Sequence, residues 1–429
     1  MHAFVLDRNR KPLAPCRMAR ARILLKLGRA AVFRRYPFTI ILKDRLVEDS
    51  PVHEHRIKID PGSKTTGVAI VQEETGRVVA AVEIEHRGRA IKASLKDRSA
   101  LRRGRRQRKT RYRKPRFDNR TRREGWLPPS LESRVANVLT WVGRLLRFCP
   151  ITAASQELVR FDLPQIEDPE ISGVEYQQGT LAGYELREYL LEKYDRTCAY
   201  CDKTDVPLQV EHIVPRSRGG TDRVSNLTLA CAPCNTKKGN TPVEDFLRRD
   251  PDRLAKVLRD AKRPLTDATA VNATRWELFR RLKAAGLPVE CGSGGRTKFN
   301  RTTRGLPKAH WLDAACVGAS TPEHLGVEGV RPLLVKAYGH GKRNRCGTDQ
   351  HGFPIRHAPR AKTFRGFRTG DIVRADIPNG KHRGTHTGRI AIRHRPSFRL
   401  GAIDVHPDRL QTVHRADGYN YAFGETFVV

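Results

Sequence analysis

The sequence lacks any hydrophobic run that approaches a membrane span, which needs about 20 consecutive apolar residues. Its first residues, MHAFVLDRNRKPLAPC, also lack the apolar segment of a secretory signal peptide. We therefore expect a cytoplasmic protein in a reducing compartment, with no membrane partner. The cysteine usage agrees with this expectation, since five of the nine cysteines are scattered and read as buried thiols: Cys16, Cys149, Cys291, Cys316 and Cys346.

The sequence is also short of acidic residues. It has 46 Asp and Glu against 82 Lys and Arg, which gives a net charge of +36. Such a charge opposes compaction unless a polyanion neutralises it, and nucleic acid is the natural polyanion. A membrane surface is the competing partner, but the basic residues are spread along the chain and are not confined to one amphipathic helix. At 429 residues, the chain is expected to form two to four domains.

The basic residues are densest between Arg87 and Arg123, where 18 Lys or Arg stand against two Asp in 37 residues. Side chains of one sign at helical spacing repel one another, so this segment is expected to order along a phosphate backbone. The alternative is a solvated, disordered basic arm. The candidate nucleic-acid-binding residues are Arg102, Arg103, Arg105, Arg106, Arg108, Arg111 and Arg113.

Two Cys-x-x-Cys pairs, Cys198/Cys201 and Cys231/Cys234, have the spacing that lets four thiolates surround one structural Zn²⁺. Between the pairs lies Glu211-His212, where a histidine could activate water while the neighbouring acid holds a hard cation. Asn226 and Asn235 complete a pattern that resembles the HNH nucleases. The alternative is that the cysteines are only a folding staple and that His212 is a surface residue.

A second candidate set is divided along the chain. Asp60 ends an apolar strand, Glu157 lies on a later strand, and His310 and Asp313 are one turn apart on a helix. Each residue alone is more typical of a turn or a helix cap. Together they fit a ribonuclease H-like sheet whose carboxylates converge on two Mg²⁺ ions for phosphodiester hydrolysis, with His310 as base or proton shuttle.

Periodicity predicts the remaining elements. We expect a strand hairpin over His55–Val71 and a third strand over Val78–Ile84. We also expect one helix-like stretch over Ala19–Phe33, an amphipathic helix over Ser133–Phe148 and a short helix over Lys308–Ala319. Residues 291–307 are expected to form a strand or loop returning to the first sheet. Short strands separated by Gly and Pro predict a small C-terminal β-barrel.

Over almost its whole length, the chain resembles the IscB family of transposon-encoded RNA-guided nucleases. The resemblance rests on IDPGSKTTG, SQELVRFD and KAHWLDAACVG for three RuvC segments, on the Arg-rich run for a bridge helix, and on CAYC through CNTKKGNTPVEDF for the HNH domain. The N-terminal motif reads Pro12-Leu13-Ala14-Pro15, one residue away from the family's PLMP motif, and GFRTGDIVRADIP resembles the family's C-terminal domain.

The resemblance implies an α/β multidomain fold, in which a RuvC domain of the ribonuclease H type is split by the bridge helix and by an inserted zinc-bound HNH domain of the ββα-metal type. The implied segments are an N-terminal PLMP-like domain (1–52), RuvC segment I (53–86), the bridge helix (87–123), RuvC segment II (124–180), the HNH domain (181–250), RuvC segment III (251–330) and a β-rich C-terminal domain (331–429).

The resemblance also implies roles for residues. Asp60, Glu157, His310 and Asp313 would form the RuvC site with two Mg²⁺. In the HNH site, His212 would be the general base, Glu211 and Asn235 would hold one Mg²⁺, and Asn226 would brace the loop.

Its implied partners are a structured guide RNA and target double-stranded DNA, in a prokaryotic ribonucleoprotein with one protein copy. Only some thirty residues separate the basic run from the Glu157 strand, too few for a large helical recognition lobe, so the RNA would fill that role. Two alternatives stay open: an HNH endonuclease of the homing or restriction type that uses no RNA, and a zinc-stapled RNA-binding protein without activity.

Overall fold

The computed structural model describes residues 2–107, 125–158, 182–262, 268–339, 346–350, 353–357, 361–393 and 397–427. None of the helices in these ranges combines the length and the hydrophobicity that a transmembrane segment needs. The described chain is a mixed α/β protein with several hydrophobic cores.

The N-terminal unit is a four-stranded sheet in the order β2-β1-β4-β3, covered by helix α1. The helix predicted over Ala19–Phe33 is shorter than expected: it ends at Lys26, and a strand follows. Gly28 adopts a left-handed backbone conformation (φ 70°), which ends the helix and turns the chain. The elements are β1 (His2–Leu6), β2 (Pro12–Arg17), α1 (Met18–Lys26), β3 (Ala30–Arg34) and β4 (Thr39–Leu42).

The next segment begins the central sheet. Strands β5 and β6 form the predicted hairpin, and the helix predicted over Ser133–Phe148 is present with one turn more at its start. Its buried face includes Val135, Val138, Trp141 and Leu145, which pack on the sheet. The elements are β5 (His55–Asp60), β6 (Thr65–Gln72), β7 (Val78–Glu85), α2 (Gly88–Arg106), α3 (Pro129–Leu146) and β8 (Ile151–Glu157).

Residues 182–262 form a separate unit with its own hydrophobic core, here called the cysteine module. A two-stranded antiparallel hairpin and the helix after it form its centre. The elements are α4 (Ala182–Lys193), β9 (Leu208–His212), a 3-10 turn (Val224–Asn226), β10 (Leu227–Cys231), α5 (Ala232–Lys238), α6 (Val243–Phe246) and α7 (Pro251–Lys262).

The chain then returns to the central sheet through a long helix. Only the start of the predicted strand or loop at residues 291–307 is extended; the rest is a helix, capped at its start by the Ser293 side chain. The elements are α8 (Ala268–Ala284), β11 (Val289–Gly292), α9 (Gly294–Thr303), α10 (His310–Ala315) and β12 (Leu333–Ala337).

The C-terminal part contains short strands, as predicted, but its main sheet is not a closed barrel among the described residues. Five strands pair linearly in the order β20-β19-β18-β17-β21 around a small core that includes Val373 and Phe398. The elements are β13 (Cys346–Thr348), β14 (Pro354–His357), β15 (Thr363–Phe364), β16 (Phe367–Arg368), β17 (Ile372–Ile377), β18 (Gly384–Ala391), β19 (Phe398–Leu400), β20 (Ile403–Val405), β21 (Leu410–His414) and β22 (Tyr419–Phe423).

The central sheet has seven strands in the order β11-β8-β5-β6-β7-β12-β22. Strands β5, β6 and β7 are antiparallel neighbours, whereas β8 and β11 run parallel to β5. Strands β12 and β22 extend the sheet from the C-terminal segment, because Leu333, Val335 and Ala337 are buried in the same core as the first strands. The carboxyl ends of β5, β8 and β11 therefore meet at one edge of the sheet.

The scattered cysteines are only partly buried as expected. Cys149 and Cys316 are buried, Cys16 and Cys346 are half-buried, and Cys291 is exposed. Cys291 lies on β11, at the outer edge of the central sheet, where one side of the strand has no neighbouring strand among the described residues.

Candidate active sites

Four cysteines meet at one end of the cysteine module. The sulfur atoms of Cys198, Cys201, Cys231 and Cys234 all lie within 4.8 Å of one another. The Sγ atoms of Cys201 and Cys231 are 3.7 Å apart, too far for a disulfide and close to the edge of about 3.8 Å that Zn–S bonds of about 2.3 Å give a tetrahedron. Backbone hydrogen bonding at Cys234 lowers the pKa of Cys231 to about 7, whereas burial raises the pKa values of Cys198 and Cys234, so the sulfur geometry is what favours a metal. The donor set therefore fits a structural zinc ion.

The hairpin of β9 and β10 carries the candidate histidine from this cluster to the opposite end. Leu208 pairs with Cys231 next to the cysteines, and His212 pairs with Leu227 at the far end. At the end of β9, Glu211 contacts Lys238 of α5, and His212 contacts Asp222 in the loop that follows the strand. We call Glu211, His212, Asn226 and Asn235 the hairpin site.

His212 is held by an acid that the sequence motif did not indicate. Its Nε2 atom lies 2.7 Å from Oδ1 of Asp222, and the same carboxylate accepts from both Nε and Nη2 of Arg216. The hydrogen bond from Arg216, followed by that from His212, holds the pKa of Asp222 below its usual range. An ionised Asp222 favours a proton on Nε2 of His212, which leaves the Nδ1 lone pair to accept a proton.

Glu211 also has a buried partner. Nζ of Lys238, which is fully buried, donates to Oε1 of Glu211 at 2.6 Å and to the His212 carbonyl at 2.8 Å. Lys238 lies on α5 and thereby ties that helix to the end of β9. Asn235, on the same helix, donates from Nδ2 to Oε1 of Gln209 at 2.6 Å.

Asn226 lies at the end of the loop between the two strands and bonds across it. Its Oδ1 accepts from the Val214 amide at 2.9 Å, while its Nδ2 donates to the carbonyls of Val214 and Thr221 at 3.0 and 2.8 Å. The Ile213 amide donates to the Asn226 carbonyl. These four bonds fix the loop that carries Asp222, although Asn226 itself does not contact His212 through any of them.

Asp60 and Glu157 lie at the same edge of the central sheet. Strands β5 and β8 are parallel with Ile59 opposite Gln156, so the next residue of each strand, Asp60 and Glu157, ends it at the same level. Glu157 is buried, and Asp60 is half-buried. We call Asp60, Glu157, His310 and Asp313 the sheet-edge site.

A glycine brings the helix of His310 and Asp313 to this edge. Gly67 pairs with Asp60 across the β5–β6 hairpin, and a Cβ atom built on Gly67 would lie 1.8 Å from the His310 carbonyl oxygen. No other residue type allows the start of α10 to approach β6 so closely. Within α10, Asp313 is half-buried whereas His310 is exposed.

Polar side chains hold the other end of α10. Buried Lys58, on β5, donates from Nζ to the Val317 carbonyl at 2.7 Å, and Asn300, on α9, donates to the carbonyls of Cys316 and Gly318. Burial lowers the pKa of Lys58 to about 8. The residues just after α10 are thereby fastened to the same face of β5 that carries Asp60.

Two arginines lie on the acids of the sheet-edge site. Nη2 of Arg275 is 3.2 Å from Oε1 of Glu157, and Nε of Arg301 is 2.9 Å from Oδ1 of Asp313. Burial raises the pKa of Asp313; the charge of Arg301 opposes this shift and that of Glu157 adds to it. The influence of Glu157 on Asp313 places the two carboxylates in the same electrostatic environment.

Both sites offer ligands for a hard cation, but neither gathers them as closely as the cysteine cluster gathers its sulfur atoms. Carboxylate and amide oxygens are the ligands that Mg²⁺ prefers, and both sites contain them. Among the described residues, however, only the four cysteines gather three or more acidic, histidine or thiol ligand atoms within 4.8 Å. The carboxylates of the sheet-edge site are spread more widely, and two of them are paired with arginine.

The predicted nucleic-acid-binding residues lie on and beyond α2. Arg102 and Arg103 are exposed on this helix, Arg106 is half-exposed at its end, and the backbone of Arg105 belongs to the same helix. Arg108, Arg111 and Arg113 lie outside the described residues. The described half of the basic run is therefore a helix with arginines open to solvent.

Sequence reasoning missed Asp222 and Lys238 at the hairpin site, and Arg275 and Arg301 at the sheet-edge site. Asp222 and Lys238 could have been considered as candidates from the sequence, because both lie within the cysteine module, between Cys198 and the end of α5. Arg275 and Arg301 lie in helices that only the folded sheet brings to Glu157 and Asp313, so no local spacing marks them.

Comparisons with known proteins identify two regions. Residues 198–241 match the HNH endonuclease family, and residues 3–179 match a family described as RRXRR protein. The described helix α2 contains this pattern as Arg102-Arg103-Gly104-Arg105-Arg106. No curated protein matches the chain.

Similar solved structures are distant. One is Cas9 from Streptococcus thermophilus in complex with the AGAA PAM, with 12% identity and a TM-score of 0.24 over 62% of this chain and 32% of that one. Another is the type II-C Cas9 enzyme from Actinomyces naeslundii, with 19% identity and a TM-score of 0.18 over 46% of this chain and 32% of that one. The chain thus spans about a third of the length of these proteins.

The family match agrees with the geometry of the cysteine module. The matched residues include the four cysteines, the β9–β10 hairpin and α5, with His212 at the end of the first strand. HNH endonucleases hydrolyse phosphodiester bonds and typically use a divalent metal. Residues 198–241 therefore form an HNH endonuclease domain, which implies phosphodiester hydrolysis.

Proposed function

We propose that this protein is an RNA-guided DNA endonuclease of the IscB type that cuts both strands of double-stranded DNA. The hairpin site cuts the strand paired with the guide, and the sheet-edge site cuts the displaced strand. The observation that carries the proposal is the second set of acids: Asp60, Glu157 and Asp313 lie around one sheet edge, outside the HNH domain. An HNH enzyme with a single active site has no use for them.

The topology of the central sheet supports this reading. Three antiparallel strands followed by two parallel ones, in the spatial order β7-β6-β5-β8-β11, give the arrangement expected of a ribonuclease H-like RuvC domain. The HNH domain and the basic helix both lie within segments that interrupt this sheet in sequence.

At the hairpin site, His212 is the general base. Asp222 holds the imidazole through Nε2, so the proton of the attacking water passes to Nδ1. Asn226 fixes the loop on which Asp222 lies. Glu211 and Asn235 are the residues that would hold Mg²⁺, which would supply Lewis-acid stabilisation of charge on the phosphate.

At the sheet-edge site, the three carboxylates of Asp60, Glu157 and Asp313 would hold two Mg²⁺ ions, which would supply an activated water and charge stabilisation of the leaving group. His310 is exposed at the start of α10 and can exchange protons between this site and solvent. Burial around Glu157 and Asp313 limits the access of bulk water to the acids.

Guide RNA is supported by charge and by the small number of residues that separate α2 from β8 in the sequence. A charge of +36 suits a large polyanion, and the exposed arginines of α2 offer phosphate contacts. With α3 packed directly on the sheet, a structured RNA would supply the platform for the guide–target duplex, in which base pairing reads the sequence.

The first experiment is to express the protein together with the DNA that flanks its gene and to sequence the RNA that copurifies. We expect one structured RNA whose end, when reprogrammed, directs cutting of a matching plasmid. Random or absent RNA with intact cutting would instead support the HNH endonuclease that uses no RNA. Tight RNA binding without divalent-dependent cutting would support the inactive RNA-binding protein.

The two-site scheme is tested with strand-labelled duplex DNA. His212→Ala should abolish the cut in the guide-paired strand, and Asp60→Ala should abolish the cut in the displaced strand. Each variant should leave the other cut intact. If either variant still makes both cuts, the assignment of one site to each strand is wrong.

A further inference from the structure

We infer that Arg275 is a positioning residue of the sheet-edge site, holding Glu157 in the orientation that binds metal. The inference rests on the proposed function of that site and deepens it. Arg275 lies on α8, far in sequence from every acid of the site, and no motif in the sequence marks it.

Arg275 joins the ends of the two strands that carry the acids. Its Nη2 atom bonds Oε1 of Glu157 at 3.2 Å, at the end of β8, and its Nε atom donates to the Pro61 carbonyl at 3.2 Å, immediately after Asp60. One planar guanidinium therefore sets the spacing between the ends of β5 and β8. A lysine, with a single nitrogen, cannot bond at both positions from one rigid plane.

The backbone of Arg275 is fixed to the same strand. Nε2 of Gln156, the neighbour of Glu157, donates to the Arg275 carbonyl at 2.8 Å. The helix and the strand are thus tied in both directions, once through the arginine side chain and once through the glutamine side chain. This double attachment leaves Arg275 little freedom to swing away from Glu157.

The ion pair between Arg275 and Glu157 is buried, so its loss should affect the orientation of Glu157. The side chains of Arg275 and Glu157 are only 4% and 9% exposed, so bulk water screens their interaction little. A buried carboxylate that loses its cation turns toward another partner. It is then lost as a metal ligand, whereas an arginine on one oxygen still allows a cation to bind through the carboxylate.

Arg275 differs in this respect from Arg281 on the same helix. Arg281 bonds Glu132, on α3, through two nitrogens at 2.7 and 2.8 Å, but both side chains are partly exposed, at 34% and 43%. Arg281 therefore fastens α8 to α3 without touching the acids. It provides a matched control for loss of an arginine from α8.

The experiment uses the full-length protein with its RNA in a His212→Ala background, where the sheet-edge site alone cuts. Nicking of the displaced strand is followed as a function of Mg²⁺ for Arg275→Lys, Arg275→Gln and Arg281→Gln. For both Arg275 variants we expect the half-maximal Mg²⁺ concentration to rise about tenfold to a hundredfold, as for lost outer-shell partners of metal ligands. The rate at saturating Mg²⁺ should fall much less, and Arg281→Gln should leave both values unchanged.

Three outcomes would overturn the inference. An unchanged Mg²⁺ dependence would mean that Glu157 does not need Arg275, and a lower half-maximal Mg²⁺ concentration would mean that Arg275 competes with the metal. A rate lost equally at all Mg²⁺ concentrations, with an unchanged melting temperature, would place Arg275 on the reacting phosphate. Failure of the proposed function is distinguished by Asp60→Ala in the same background: if nicking persists there, the sheet-edge site itself is wrong.

Discussion

The hairpin site and the sheet-edge site are assembled in opposite ways. All residues of the hairpin site lie between Cys198 and Asn235, on one hairpin and the helix after it. The sheet-edge site takes its acids from two strands and a helix between Asp60 and Asp313, and its arginines from two further helices. The first depends on a local fold that a metal can fasten, and the second on the correct packing of the whole sheet.

The two sites nevertheless share one device. Each pairs a buried acid with a buried cation from a helix: Glu211 with Lys238, and Glu157 with Arg275. Removing one partner of such a pair leaves an uncompensated charge, whereas the intact pair holds the acid in one orientation. We infer that the acids of both candidate sites are held in orientation by buried cationic side chains.

Removal of the cysteine cluster should produce the largest difference between the activities of the two sites. Cys231→Ser should unfold the cysteine module, because binding of a structural zinc contributes about 10–16 kcal/mol to folding in small domains. Cutting by the hairpin site should be lost, while nicking by the sheet-edge site persists. Limited proteolysis and strand-labelled cutting measure the two effects. Exposed Cys291, as Cys291→Ser, is the matched control and should leave both sites intact.

Gly67→Ala should have the opposite effect, because it should impair the sheet-edge site and spare the hairpin site. The new Cβ would lie 1.8 Å from the His310 carbonyl, so α10 must move away from Asp60. We expect about a hundredfold loss of displaced-strand nicking, the effect of a shift near 1 Å, and about 1–3 kcal/mol of destabilisation. Cutting by the hairpin site should not change.

The control for this substitution is Gly143→Ala, within α3, where an added Cβ meets no atom within 4 Å. Alanine should there stabilise the protein by about 0.5–1 kcal/mol, because glycine disfavours a helix interior. The melting temperatures of the two variants should therefore move in opposite directions, and only Gly67→Ala should lower the nicking rate. If Gly67→Ala keeps full nicking, the close approach of α10 is not required.

Asp222→Asn tests the hairpin site more finely. Asparagine keeps the shape of Asp222 but loses the charge that pairs with His212 and Arg216. A hydrogen bond to a charged group contributes about 1.5–3 kcal/mol, so the guide-paired strand should be cut about tenfold to a hundredfold more slowly. Exposed Asp245→Asn is the control. An equal loss at the sheet-edge site would show that Asp222 acts on the fold and not on His212.

The difference between the local assembly of the hairpin site and the long-range assembly of the sheet-edge site explains which features could be predicted from the sequence. The hairpin, its cysteine cluster and the region of the HNH match were predicted because their residues follow one another at fixed spacing. For the sheet, the periodicity of apolar residues predicted β5 to β8 and α3. The alternation of Leu333, Val335 and Ala337 was too short a signal to reveal that β12 returns to this sheet.

Other features required the folded structure. The helix predicted over Ala19–Phe33 ended early because Gly28 turns the chain, and apolar content alone could not separate that helix from strand β3. Residues Gly294–Thr303 carry few apolar positions, so only the Ser293 cap indicates a helix there. Arg275 could not be predicted, since its role depends on where α8 lies relative to β8.

Substitution of Asp417, which belongs to neither site, should produce the smallest difference between the activities of the two sites. Its carboxylate bonds Arg34 at 3.0 Å and Arg144 at 3.1 Å, and it also accepts from His414 and Tyr421. It thereby joins the N-terminal sheet, α3 and the C-terminal segment. These hydrogen bonds and charges overcome the effect of burial and lower the pKa of Asp417 to about 2.

Asp417→Asn should therefore weaken both sites equally, through stability alone. A folded pKa of about 2 against about 3.9 in the unfolded chain contributes about 2.5 kcal/mol, fully present above pH 4 and lost as the pH falls through 2. Wild-type stability should decline across that window, and the variant, already less stable at pH 7, should decline less. Exposed Asp404→Asn, which removes only surface ion pairs, should cost less than about 1 kcal/mol. Selective loss of one cut in Asp417→Asn would mean that this junction positions one site directly, and the two sites would then not be independent.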